Sequence, residues 1–212
     1  MERKMWQFIL GSTGFILYFI YDINSVRMKN AVLQKFFAVG SILVVVSLIA
    51  ELYAAWGSCH RKIGTMTGFG LGGLLFFCLL IYTLFFALPF EETYCEENKL
   101  RAAYTEGMYG LCRHPGVLWF AGAYLCMWGM VGGWKHGIYF LLMIFWNYLY
   151  IIFQDLWTFP RTFFNYKEYQ QSTPFLIRTE KAYWCACVLS EKMIDLERTV
   201  YEFKRKIKKT TV

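Results

Sequence analysis

The sequence predicts an all-α fold, a polytopic integral membrane helix bundle of about five transmembrane helices with a C-terminal amphipathic helix. Three observations carry that expectation. Of the 212 residues 57% are hydrophobic, 20% aromatic and only 17% charged, against about 25% charged in an average soluble protein. The apolar residues fall in long stretches of membrane-spanning length, and the cations fall unevenly among the loops between them. The 20 Phe, 15 Tyr and 8 Trp exceed what a soluble core of this size hides from water. Disorder, a collagen-like chain and a disulfide scaffold are excluded by the same composition. The seven Cys are odd in number and only Cys185-x-Cys187 is closely spaced, so no disulfide framework is implied.

Trp6 to Tyr21 is the first apolar segment. It follows Glu2-Arg3-Lys4 and resembles a signal peptide, but no small-x-small cleavage site follows Tyr21-Asp22-Ile23, so a retained anchor is expected. Phe36 to Trp56 is broken only by Ser41, Ser47 and Glu51, and Thr67 to Leu88 carries no charge and stops at Pro89. At about 1.5 Å per residue each of these two crosses a hydrocarbon layer of roughly 30 Å. Gly116 to Val131 and Gly137 to Phe153 are shorter, and the segment 132–136 between them predicts a helical hairpin. Glu51 is placed near the outer boundary, within reach of water, and Asn147 is expected to hydrogen-bond between helices. Gly68-x-Gly70-x-Gly72-Gly73 looks like a nucleotide loop, but it opens an uncharged span, where close helix packing is expected.

With five spans, Arg3, Lys4, Arg61, Lys62 and Lys135 lie on one side, and the other 17 of the 22 Lys and Arg lie on the opposite side. Cytoplasmic loops collect positive charge, so the 90–114 loop and the C-terminal tail are expected in the cytoplasm. The net charge of +7 brings no nucleic-acid motif with it, and a membrane surface is the partner it implies. Three parts follow: residues 1–89 as N-terminal spans, 90–180 as a catalytic-type half, and 181–212 as a basic tail. In that tail Leu189, Met193, Leu196, Val200, Phe203 and Ile207 recur at steps of three and four before the Lys204–Lys209 cluster. This amphipathic helix either lies on the anionic leaflet or pairs with a second copy as a homodimer.

The 90–114 loop is long for a compact membrane protein, and loops of such length are usually functional. Glu91, Glu92, Glu96 and Glu97 make its first half acidic, but no His-x-x-x-His or Glu-x-x-His spacing accompanies them, and no metal is predicted. Its second half runs Glu106-Gly107-Met108-Tyr109-Gly110-Leu111-Cys112-Arg113-His114-Pro115-Gly116 into the fourth span. Pro115 suits a first helical turn, where its missing N–H costs nothing.

Gly107-x-Tyr109-x-x-x-Arg113-His114-Pro115 resembles the signature that opens the catalytic half of the isoprenylcysteine carboxyl methyltransferase superfamily, which includes phospholipid methyltransferases. An acidic pair, a Phe and a Tyr-x-x-Tyr run ending in Pro follow the hairpin in that family. Here they correspond to Gln154-Asp155, Phe163, Tyr166-x-x-Tyr169 and Thr173-Pro174-Phe175, so the resemblance covers about residues 100 to 178. Two features depart from it: Gln154-Asp155 stands where two Glu are usual, and Phe164 where Gly is common.

The resemblance implies S-adenosylmethionine as cofactor, a lipophilic acceptor entering from the bilayer, and a site facing the cytoplasm. Tyr109, His114, Pro115 and Tyr166 are the implied cofactor-binding residues; Arg113, Gln154 and Asp155 are the implied catalytic ones. Methyl transfer from a sulfonium is an in-line displacement, so such a site mainly holds donor and acceptor together in a dry cavity. Arg113 also suits an acidic group on the acceptor. Two alternatives stay open: a membrane reductase using NADPH, since steroid reductases share a related helical layout, and a catalytically degenerate relative that binds a ligand, which Gln154 would fit.

Overall fold

The computed structural model describes residues 6–57, 61–87 and 101–176. It is an all-α bundle. In chain order the long helices are α1 (Trp6–Ile23), α3 (Phe36–Trp56), α4 (Ile63–Phe85), α6 (Pro115–Val131) and α7 (Trp134–Phe153); the short ones are α2 (Ala31–Gln34), α5 (Met108–Leu111), α8 (Phe159–Thr162) and α9 (Tyr166–Ser172). Four helical stretches, Trp6–Met28, Ala31–Trp56, Ile63–Phe85 and Trp134–Thr162, are long and apolar enough to cross a membrane, while Pro115–Val131 is shorter. Large apolar side chains point outward along them, as with Ile42, Ile49, Leu71 and Leu75. Such a surface suits a lipid environment and not water.

With lipid outside, apolar burial gives little drive between helices, and close backbone approach has to supply the packing. α1 pairs with α3, α4 pairs with α6, and α7 packs against both α1 and α6. Gly14 and Gly40 sit at the α1–α3 crossing, where a Cβ on either would come within 2.8 Å of the other's carbonyl oxygen. Along the antiparallel α4–α6 pair, the Phe76 ring lies over Gly122 and the Phe69 ring over Gly129. The expected glycine packing on α4 holds for Gly70, Gly72 and Gly73, which face Met130 and Cys126; Gly68 has open space. Where α1, α6 and α7 meet, the core is aromatic: Phe15, Tyr124, Tyr139 and Phe140 are buried around Met143.

Several boundaries differ from the sequence reading. Only Gly132 and Gly133 separate α6 from α7, both at positive φ (71° and 75°), a backbone that glycine alone adopts without cost. Helix α4 starts four residues before the expected Thr67, because Ile63-Gly64-Thr65-Met66 adds a further turn. Glu51 does not reach water. It is fully buried, 2.8 Å from His136 Nδ1, beside the buried Ser47 and Tyr139. Asn147 Oδ1 has no hydrogen-bond partner among the described residues. Two features have no counterpart in the sequence reading: α1 and α7 both run on into π-helical turns, Asn24–Met28 and Gln154–Thr158. The acidic stretch 91–97 and the amphipathic tail lie outside the described residues.

Candidate functional site

The site lies at the bundle end where α7 finishes and α6 begins. Pro115 occupies the first turn of α6 and His114 precedes it as the cap residue. This fixes where the Arg113-His114 pair enters the bundle. The π turn Gln154–Thr158 carries Asp155 inward, with only 4% of its surface exposed, and π turns often occur where a side chain must be re-aimed.

Asp155 is the hub. Its Oδ1 accepts from Arg113 Nε at 2.8 Å, from His114 Nε2 at 3.0 Å and from the Tyr166 hydroxyl at 2.6 Å. Its Oδ2 accepts from Arg113 Nη2 at 3.1 Å and from Gln170 Nε2 at 3.1 Å. A buried carboxylate is tolerable only with such pairing. Arg113 donates further from Nη1 to the carbonyls of Gln170 and Thr173, and its backbone N–H donates to the Pro174 carbonyl. The guanidinium therefore ties the 170–174 strap to the end of α7.

His114 is buried between rings, stacked on Phe159 at 5.8 Å and edge-on to Phe175 at 4.9 Å. Burial holds its pKa below the ordinary imidazole value, against the opposing pull of Asp155. The imidazole is thus neutral at pH 7. Because Nε2 faces a carboxylate that only accepts, Nε2 carries the proton and Nδ1 carries the lone pair. Nδ1 has no hydrogen-bond partner among the described residues. Burial and the neighbouring carboxylate raise the Tyr166 phenol far above its usual range, so it stays a donor.

Of the seven residues singled out by sequence, Arg113, His114, Asp155 and Tyr166 come together, and Pro115 sets their entry. Two do not join them. Gln154 turns to the opposite side of the π turn, where its Nε2 donates to the Tyr150 hydroxyl at 2.9 Å and its side chain also bonds Asp22. Tyr109 lies under the strap: its hydroxyl donates to the Thr83 carbonyl, its own carbonyl accepts from Tyr169, and its ring packs with Ala103, Tyr166 and Tyr169. Sequence reasoning missed Gln170 and Phe159, and it quoted Phe175 only within the Thr173-Pro174-Phe175 landmark, without a role in the site. Their only signal was proximity to the Tyr-x-x-Tyr run, since neither an amide nor a Phe stands out in an aromatic-rich chain.

Cys112 is buried beside the site, and burial pushes its thiol pKa up, which makes it a packing group and not a nucleophile. Among the described residues no cluster of three or more His, Cys, Asp or Glu has the proximity to hold a metal. No family model, no curated protein and no solved structure matches this chain.

Proposed function

We propose that this chain is an integral membrane methyltransferase that uses S-adenosylmethionine to methylate a lipophilic acceptor at the cytoplasmic membrane face. One observation carries the reading. A neutral, aromatic-flanked imidazole is held at Nε2 by a buried carboxylate, and its Nδ1 lone pair is left for a ligand. The donor set fits the group: Nδ1 accepts from a hydroxyl or ammonium, and the Phe159 ring offers a π face to a cation, the Phe175 ring already lying under the Arg113 guanidinium at 5.7 Å. When bound, S-adenosylmethionine supplies a methyl group already activated by its sulfonium, so the protein needs no nucleophile of its own.

Asp155 and Tyr166 act as positioning residues, because the carboxylate and the phenol are already committed to each other and to His114. Arg113 has four of its five N–H donors engaged by Asp155, Gln170 and Thr173, which favours a role in holding the strap over one in gripping an acceptor. The strap keeps Phe175 against His114 and water away from the imidazole.

Calorimetric titration of the detergent-solubilised protein tests the cofactor, and transfer of labelled methyl to extracted membrane lipids tests the reaction. Binding of S-adenosylmethionine with methyl transfer supports the proposal; binding of NADPH in its place refutes it in favour of a reductase. A ligand-binding relative without turnover is the second reading. It is favoured by the saturation of Asp155, and its result is cofactor binding with no methyl transfer.

A further inference from the structure

At the same end of the bundle, apart from the His114 site, two arginines meet one tryptophan. The guanidinium carbon of Arg161 lies 5.0 Å from the centre of the Trp157 ring, and that of Arg27 lies 5.5 Å from it. Both arginines are exposed. Arg161 gives one N–H to the Trp157 carbonyl; Arg27 donates to nothing among the described residues, and no carboxylate there pairs with either. Two like charges beside one ring repel, and an anion that accepts from both guanidiniums at once relieves that repulsion while matching their forked donors.

The arrangement is held rigidly. Arg27 sits on the π turn after α1, anchored by the fully buried Asn24, whose side chain bonds Asn30 on both its amide and carbonyl atoms and also Gln34. Trp157 sits on the π turn after α7, its ring stacked on Phe153. The second π turn is joined to the last turn of α1 by the Thr158 hydroxyl donating to Asp22 at 3.2 Å. Within a few residues of the cations in the chain, the apolar Met28, Val32, Leu156 and Phe164 are each more than half exposed. A free phosphate has no use for those side chains, whereas the acyl region of a lipid does.

We propose that Arg27, Trp157 and Arg161 form a binding site for the phosphate of an anionic glycerophospholipid at the membrane interface. The guanidiniums fork onto the phosphate oxygens, Trp157 sits at headgroup depth, and the flanking apolar side chains meet the glycerol and upper acyl chains. This site is independent of methyl transfer.

The test uses the full chain in detergent, with phosphatidylglycerol and phosphatidylcholine added in equal amounts and the bound lipid measured by native mass spectrometry. Wild type should retain phosphatidylglycerol preferentially. The Arg27→Gln/Arg161→Gln pair should lose that preference by roughly 10- to 30-fold, as expected for two cations near an anionic surface. Arg27→Lys/Arg161→Lys, which keeps the charge without the fork, should lose only part of it. A Lys35→Gln/Lys167→Gln pair, which removes two exposed charges from the same end, should behave as wild type. Equal loss in that control, or no loss in Arg27→Gln/Arg161→Gln, overturns the site. Displacement of the lipid by equimolar inorganic phosphate would show that free phosphate, and not lipid, is the ligand.

Discussion

His114 combines a fixed tautomer with an open Nδ1, and its substitution separates ligand binding from fold. His114→Ala should weaken S-adenosylmethionine binding by about 5- to 150-fold, the loss of one buried hydrogen-bonding group worth about 1–3 kcal/mol; calorimetry on the purified variant reads it directly. The lowered imidazole pKa adds a pH signature. In the folded protein His114 binds fewer protons than in the unfolded chain between the depressed value and about 6.5, so it makes stability rise with pH across that window. Cofactor affinity should correspondingly stay level as pH falls to about 6.5 and drop only below it, once Nδ1 is protonated. Asp155 behaves differently, because its substitution strands Arg113, His114 and Tyr166 together. Asp155→Asn should cost about 3 kcal/mol or more of stability, as removal of one partner from a buried ion pair does, visible as a lower unfolding temperature in detergent. Gln154→Glu separates the two neighbours. If 154 and 155 formed one acidic site, the change would alter cofactor affinity; with Gln154 bonded to Asp22 and Tyr150, it sets a second carboxylate beside a buried one, and should lower stability while leaving affinity unchanged.

Helices are legible from sequence to the extent that their signals are local. Length and apolarity mark the five long helices, and Pro115 marks the start of α6 correctly, because a proline's effect on its own turn needs no partner. The hairpin turn is misjudged: Trp134, Lys135 and His136 look like loop residues by polarity, yet they form the first turn of α7, where His136 reaches the buried Glu51 across the bundle. No local pattern announces that pairing. The π turns are equally hidden, since they arise from the junction of α1 and α7 through Asp22 and Thr158, which are 136 residues apart. For the site, sequence finds the residues that carry unusual chemistry and misses those that act by shape. The Gly132-Gly133 turn offers a test on its own. Gly132→Val places a β-branched side chain at positive φ and against the Arg61 side chain, which lies 2.7 Å from an ideal Cβ there; it should cost about 1–3 kcal/mol and lower the unfolding temperature, without changing cofactor affinity at the far end of the bundle.

At the scale of the whole molecule, the helices sort the polar chemistry to two ends. The Asp155 hub, the Tyr109–Thr83 contact and the Asp22–Thr158 bond lie at one end, and Glu51, His136 and the 132–133 turn lie at the other. The bundle defines two ends, and the proposal that the Asp155 end faces the cytoplasm rests on the sequence expectation that, with five crossings, 17 of the 22 Lys and Arg fall on that side. A shorter α6 is compatible with crossing, since 17 residues span about 26 Å at 1.5 Å each, close to the roughly 30 Å hydrocarbon layer, which thins locally at modest cost. Cysteine labelling reads the orientation. Cys112 is a poor reporter whichever way the chain is inserted, because it is buried, so the informative thiol is Cys95 in the 90–114 loop. An impermeant maleimide added to intact cells should leave Cys95 unmodified, and the same reagent should label it once the membrane is opened, in a background where the other six cysteines are replaced by Ala so that Cys95 is the single thiol. Labelling of Cys95 in intact cells would put the Asp155 end outside, away from cytoplasmic S-adenosylmethionine, and would overturn both the orientation and the methyltransferase reading with it.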